Sequence, residues 1–226
     1  MKLILKEPFL SECHQIQSIL GKENTYLIGG FVRDTLLGRT TSDMDFATPL
    51  HPDFFFPLFS KGNYITGYGT LSFKERGLHI TIAAFRKEES YLDFRHPSKV
   101  TFINDMEEDS KRRDFTINAL YVNSDLEVLD PTQLGLSDLE NHIIRIIGDP
   151  DKRLIEDPLR ILRAYRFAYT FDFTFDKMTK KSLLLHQGLI HHLKPQKIRE
   201  EIEKCPPVHR SEMIEALALS DEMDYV

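Results

Sequence analysis

Cysteine is nearly missing from this 226-residue chain, which holds only Cys13 and Cys205. Two such residues make neither a disulfide framework nor a CxxC metal knuckle, and that usage suits a reducing compartment. Long apolar runs are missing too. The opening Met1-Lys2-Leu3-Ile4-Leu5-Lys6-Glu7-Pro8 breaks too early for a signal peptide, and no stretch is long enough to span a bilayer. The expectation is a cytoplasmic protein with no membrane partner. His186, His191 and His192 offer neither HExxH nor a clear ligand spacing. No Ser/His/Asp or Cys/His arrangement emerges from spacing, and there is no internal repeat or low-complexity tract.

An excess of positive charge is also lacking: the formal net charge is −6. Taken whole, that argues mildly against a nucleic-acid partner. The distribution is uneven, however. Residues 152–199 hold eleven Lys/Arg against four Asp/Glu, whereas the segments on either side are acidic. A basic block between acidic ones is what a phosphate-binding surface needs, although a solvated helix face fits the charges equally well.

What is present is ordinary globular material, with 41% apolar and 28% charged residues and length enough for a medium domain and a smaller one. Glu7 to Leu20 reads as a helix ended by Gly21. Tyr26-Leu27-Ile28 reads as a short strand running into Gly29-Gly30, and Phe31 to Leu37 as a helix with Gly38 just past its end. Strand patterns follow at 42–47, 78–86, 98–103, 119–122 and 128–129. From Asp151 onward the periodicity is helical with few strand formers. Strands mixed with helices, then helices alone, predict an α+β part over 1–148 followed by an all-helical part over 149–226.

Four segments could carry chemistry. Gly29-Gly30-Phe31-Val32-Arg33-Asp34 lies between a strand and a helix, where backbone N–H groups can face an anion and Arg33 adds charge. It is neither a Walker loop nor a dinucleotide fingerprint, and a plain turn would read the same. Asp43-Met44-Asp45 places two carboxylates on one side of a strand, able to grip one metal cluster. Hard oxygen ligands favour Mg²⁺, and a metal pair about 4 Å apart can activate a 3′-hydroxyl and steady a leaving pyrophosphate. A solvated turn often carries the same three residues. In Arg112-Arg113-Asp114-Phe115-Thr116-Ile117-Asn118-Ala119, two arginines can hold triphosphate oxygens and Asp114 can accept from a ribose hydroxyl; a charged element edge is the plainer alternative.

The last is Glu156-Asp157-Pro158-Leu159-Arg160-Ile161-Leu162-Arg163-Ala164-Tyr165-Arg166. Pro158 suits a first helical turn, and the acids suit its positive end. Asp157, Arg160, Arg163 and Arg166 recur every three residues. They could be surface ion pairs worth a few tenths of a kcal/mol. They could also read bases. Cytosine and adenine each show an amino donor beside an unprotonated ring nitrogen, whereas guanine and uracil show the opposite pattern. An aspartate acceptor beside an arginine donor would accept the first two and reject the others.

Taken in order, the four segments resemble the class II tRNA nucleotidyltransferase/poly(A) polymerase family. The matching stretches are GGFVRDTLLGRTTSDMDFAT at 29–48, YLDFRHPSKVTF at 91–102, RRDFTINAL at 112–120, IIRIIGDP at 143–150 and EDPLRILRAYRFA at 156–168; 197–201 resembles a further helix. The resemblance implies a polymerase-β-like head with a mixed sheet and a helical neck. It implies Mg²⁺-dependent addition of CMP and AMP from CTP and ATP to an RNA, most naturally a tRNA 3′ end. By the same resemblance Asp43 and Asp45 are the catalytic metal ligands. Gly29, Gly30 and Arg33 contact phosphates, and Arg112, Arg113, Asp114 and Asn118 hold triphosphate and ribose. Asp157 and Arg160 read the base, supported by Arg163 and Arg166. Tyr91 to Pro97 matches a flexible loop tied to the switch from C to A.

Three departures qualify the match. Thr81-Ile82-Ala83-Ala84-Phe85-Arg86 stands where the family reads E-V-T-T-F-R, so an acidic side chain is replaced by Thr81. Larger members continue through body and tail domains that grip tRNA. The chain therefore reads as a truncated piece, half of a split enzyme whose partner chain supplies those domains, or a natural short form. Tyr68-Gly69-Thr70 stands where CCA-adding members often show His-Gly-Thr, and no GRRF-like segment with a His-Val pair is found. Three functions follow: a CCA-, CC- or A-adding enzyme, a bacterial poly(A) polymerase, or a catalytically weak RNA- or nucleotide-binding module.

Overall fold

The computed structural model describes residues 1–91 and 97–219. It divides into two compact units, one from residues 1–89 and 99–136, the other centred on the chain from Ser137 onward. The sequence expectation placed the boundary between 148 and 149, whereas the compact units part between Leu136 and Ser137. The reason is pairing: Ile143–Ile144 bonds in parallel to Thr174–Phe175. No helix among the described residues is long and apolar enough to cross a membrane.

The first unit begins with helix α1 (Phe9–Leu20), strand β1 (Tyr26–Ile28), α2 (Gly29–Leu36) and β2 (Asp43–Thr48). Then come α3 (Pro52–Phe55), β3 (Asn63–Ile65), β4 (Thr70–Glu75), β5 (Leu78–Ala84), β6 (Arg86–Tyr91), β7 (Pro97–Phe102) and α4 (Met106–Lys111). Strands β8 (Tyr121–Val122) and β9 (Val128–Leu129) and helix α5 (Gly135–Glu140) close this stretch. The main sheet runs β3-β4-β5-β2-β1-β8-β9. Only β2 and β5 in it pair in parallel; the other neighbours are antiparallel. The sheet is mixed, as expected, and β6 pairs with β7 in a separate ribbon.

Side-chain alternation decides which face carries function. On β2, Met44 and Phe46 are buried, as are Leu78, Ile80, Ile82 and Ala84 on β5. With Leu71 of β4, Leu27 of β1 and Phe31 of α2 they form the core, each large side chain contributing about 1.5–3 kcal/mol. Because successive strand residues point to opposite faces, Asp43 and Asp45 are left on the other face. They align with His79 and Thr81 of β5. Strands β3, β4 and β6 went unread in the sequence. All three β3 residues are exposed, and β4 ends in Lys74-Glu75 at a turn, so neither shows a clean apolar alternation.

Between β3 and β4, Gly69 sits in the left-handed region at φ +57°. A Cβ there would stand 2.5 Å from Phe102 Cε1, 2.8 Å from Pro52 Cγ and 3.0 Å from the Ala84 Cβ. Gly69→Ala therefore combines a left-handed backbone penalty with overpacking and is expected to cost about 2–4 kcal/mol. The measurement is the urea midpoint at constant slope; an unmoved midpoint would show that the turn relaxes freely.

The second unit holds β10 (Ile143–Ile144), α6 (Pro150–Glu156), α7 (Leu159–Phe171), β11 (Thr174–Phe175), α8 (Lys177–His186), α9 (Pro195–Glu203) and α10 (Arg210–Ala216). Helix α6 packs on α8, and α7 on α9 and α10, around Leu154, Ile161, Leu162, Leu183, Ile198, Ile202 and Met213. Local signals set the helix starts. The Asp149 carboxylate accepts from Asp151 N at 3.0 Å, with Pro150 in the first turn. The Asp176 carboxylate accepts from Met178 N and Thr179 N at 3.2 and 3.0 Å. Helices make up this part, as expected, with one addition. The β10–β11 pair adds a short ladder, and its two-residue strands are too brief to leave a period in the sequence.

Candidate active site

Three of the four sequence segments meet in the first unit. Strand β1 ends at Ile28 and the chain turns at once into α2 through Gly29, at φ +72°. A Cβ built on Gly29 would lie 3.5 Å from Asp45 Oδ2. The first helical turn thus passes its bare backbone directly beside the second carboxylate of β2. Asp43 is exposed and Asp45 half-buried, and the alternation of β2 puts both on one face.

Burial and neighbouring charges act on Asp45 in opposite directions. Burial raises its pKa above the ordinary value, and the Asp43 charge raises it further. Arg113 is the largest charge acting the other way, with His79 and Arg33 behind it. Asp43 has a neighbour of its own: His79 Nδ1 lies 3.5 Å from Asp43 Oδ1. Thr81 is the cross-strand partner of Asp45 and so lies directly beside the pair. Among the described residues no group of three or more His, Cys, Asp or Glu could hold a metal. Two carboxylates on one face suit a hard divalent cation that also takes water and phosphate oxygens.

The first and third segments are tied by hydrogen bonds. Arg33 donates through Nη1 to Asn118 Oδ1 at 2.5 Å and through Nε to Asp34 Oδ1 at 2.9 Å. Asn118 in turn donates to Asp114 Oδ1 at 2.9 Å, and Phe115 N donates to the same oxygen at 2.8 Å. Arg33 is 6% exposed and braces α2 against the turn at Thr116–Asn118. Gly30 stands next to it, with a Cβ position 3.4 Å from Arg33 Nη2. Arg112 and Arg113 converge on a carboxylate that sequence reasoning passed over, Asp109, fully buried in the first turn of α4. Asp109 sits in Glu107-Glu108-Asp109, which reads as the solvated acidic start of a helix. The usable signal was its spacing, three and four residues before the two arginines.

In the second unit the fourth segment is split between two helices, α6 ending at Glu156 and α7 starting at Leu159. Asp157 is not on α7 but just before it. Its Oδ1 accepts from Leu159 N at 3.1 Å, and Arg160 N donates to its carbonyl at 3.1 Å. The three-residue recurrence therefore does not run along a single helix, because Pro158 keeps the preceding residue out of helical geometry. Arg160 is 5% exposed. Its Nη1 donates to the Arg153 carbonyl at 2.8 Å and stands 3.5 Å from Glu156 Oε2. Arg166 lies over the Phe167 ring at 4.1 Å and donates to Glu201 Oε2 at 2.7 Å; Arg163 also lies over that ring, at 5.4 Å. Glu201 is a second buried carboxylate missed in the sequence, hidden in the charged run of α9. The loop expected at 91–97 falls at 92–96 outside the described residues.

Residues 25–145 match the model of the Poly A polymerase head domain. The chain is 40% identical over 204 residues to a CCA-adding enzyme of Leuconostoc mesenteroides, covering 89% of this chain and 50% of the relative. It is 41% identical over 181 residues to a CCA-adding enzyme of Limosilactobacillus reuteri, covering 79% and 44%. The chain thus spans about half the length of the curated relatives it matches. Among solved structures it resembles the Bacillus stearothermophilus CCA-adding enzyme in complex with CTP, with a TM-score of 0.83, 29% identity and coverage of 97% of this chain and 54% of that one. It also resembles the Thermotoga maritima CCA-adding enzyme complexed with tRNA, with a TM-score of 0.74, 26% identity and coverage of 95% and 52%. The matched segment takes in the acid pair, the Gly29 turn and the arginine cluster together, and the chain belongs to the Poly A polymerase head domain family.

Proposed function

We propose that this chain is the nucleotidyl-transferring part of a template-independent enzyme that adds CMP and AMP to tRNA 3′ ends from CTP and ATP, releasing pyrophosphate. The observation that carries the reading is the pair Asp43 and Asp45, set on one face of β2 beside the bare backbone of Gly29 and under the charge of Arg113. Its relatives are CCA-adding enzymes, and solved structures similar to it are complexes with CTP or tRNA.

Asp43 and Asp45 would hold Mg²⁺, whose positive charge favours loss of the proton from a 3′-hydroxyl and steadies pyrophosphate as it leaves. The remaining work falls to the chain. Arg112 and Arg113 hold the triphosphate by charge-assisted hydrogen bonds. Asp114, fixed by Asn118 and through it by Arg33, accepts from a ribose hydroxyl. Asp157 and Arg160 read the base, with Arg163 and Arg166 supporting. The hydroxyl oxygen bonds to the α-phosphorus, the bond to the β-phosphate breaks, and the hydroxyl proton passes to water. In this scheme residues 1–148 act as catalytic head and 149–226 as a nucleotide- and RNA-binding neck in the cytoplasm.

The test supplies Mg²⁺ with tRNA ending before the first C, tRNA ending after CC, or an unrelated oligonucleotide. Each NTP is given singly, then CTP with ATP. The expected product is tRNA extended to CCA and no further. A long A tail on any RNA would replace the reading with a poly(A) polymerase. Nucleotide binding without incorporation would leave a binding module.

A further inference from the structure

We propose that Asp109 is the positioning residue of the triphosphate site: a buried carboxylate that fixes the guanidinium groups of Arg112 and Arg113. The inference rests on the nucleotide-transfer reading above and adds to it a residue that touches no substrate.

The geometry is specific. Asp109 has no solvent exposure, yet both of its oxygens are occupied by donors. Oδ1 accepts from the backbone N of Arg86 at 3.0 Å and from Arg112 Nε at 2.8 Å. Oδ2 accepts from Arg113 Nη2 at 3.0 Å and from the Tyr121 hydroxyl at 2.5 Å. The Tyr121 hydroxyl also accepts from Arg113 Nε at 3.1 Å, and the Arg113 guanidinium lies 5.2 Å from that ring's centre. Asp109 and Tyr121 therefore grip Arg113 along one edge at two nitrogens, and Asp109 holds Arg112 through Nε.

Burial placed the carboxylate inside and the two cations at its rim. The side chains of Arg112 and Arg113 are 12% and 15% exposed, against 0% for Asp109. Glu88 pairs with Arg86 at 2.7 Å and stands 3.8 Å from Arg112. Burial alone would push the Asp109 carboxyl up. The charges of Arg113 and Arg112, with the Tyr121 hydroxyl and the Arg86 N–H, hold it well below its ordinary value instead. The charged carboxylate is thus the favoured form, and it is the form that anchors both arginines.

A positioning role differs from a structural one in which ligand it affects. The experiment measures CTP, CMP and tripolyphosphate binding by calorimetry for the full chain and for Asp109→Asn, with thermal midpoints alongside. Losing one charged acceptor should weaken CTP and tripolyphosphate about tenfold or more, while CMP affinity stays within about twofold of wild type. Tyr121→Phe keeps the buried ring and removes only the shared hydroxyl. It should give a smaller loss with the same CTP-over-CMP bias, and it decides the matter if Asp109→Asn does not fold. Equal losses for CTP and CMP, or wild-type CTP affinity in a variant whose midpoint has dropped, would reduce Asp109 to a fold-stabilising residue. A wild-type chain that binds none of the three would overturn the nucleotide reading itself, a different result from an insensitive Asp109.

Discussion

Replacing Asp43 and Asp45 together with alanine is expected to lower nucleotide incorporation by at least about 1,000-fold, since bound cations in such sites supply several kcal/mol of charge stabilisation. The fold should survive. Asp43 is exposed, Asp45 is half-buried, and neither side chain contributes to the core that Met44 and Phe46 build from the other face of β2. A second readout needs no turnover. Burial, then the Asp43 charge, raises the folded-state pKa of Asp45. Across the window between its unfolded and folded pKa the native state binds more protons than the unfolded one, so stability contributed at this site falls as pH rises. At neutral pH without metal the charged Asp45 therefore destabilises the fold, and the double variant should melt at or above the wild-type temperature. Added Mg²⁺ should raise the wild-type midpoint, because it binds only the native state, and leave the variant unmoved. Turnover retained by the double variant, or an equal Mg²⁺ shift in both proteins, would dispose of the metal assignment.

How much of this was legible in the sequence depended on the range of the interaction involved. Tyr26-Leu27-Ile28 followed by two glycines gave β1 and the start of α2 because the breaker and the apolar run are adjacent. The Asp43-Met44-Asp45 alternation gave a common face because strand period is local. Short two-residue strands such as β10 and β11, and exposed edge strands such as β3, carry no such period. The site was legible where its residues lay in one segment and silent where they did not. Asp109 and Glu201 look like members of solvated acidic runs. Only the tertiary fold turns them inward onto Arg112 and Arg113, and onto Arg166. His79 is placed beside Asp43 by a parallel register between β2 and β5, and parallel register depends on a crossover that no local pattern encodes. Arg33 was singled out for phosphate, whereas its guanidinium here bonds Asp34 and Asn118. The charge was legible, but its partner, 85 residues away, was not.

The second large effect concerns which bases are accepted. On the proposed reading Asp157 accepts from the amino group of cytosine or adenine while Arg160 donates to the neighbouring ring nitrogen. Uracil and guanine then meet like against like, at about 1–3 kcal/mol per mismatch. Asp157→Ala is accordingly expected to shrink the preference for CTP and ATP over UTP and GTP by roughly 5- to 150-fold. Alanine alone would leave an ambiguity, because Asp157 Oδ1 also caps α7 by accepting from Leu159 N. Losing a cap costs about 1 kcal/mol and could disturb Arg160, whose own N–H bonds to the Asp157 carbonyl. Asp157→Asn separates the two roles. Its amide oxygen can still accept from Leu159 N, so the thermal midpoint should hold, but its amide nitrogen brings a donor where the cytosine amino group needs an acceptor. The asparagine variant should therefore lose CMP and AMP incorporation and gain UMP incorporation without melting earlier. If it kept wild-type nucleotide preferences at wild-type stability, Asp157 would be a helix cap and nothing more, and base selection would have to lie elsewhere in the chain.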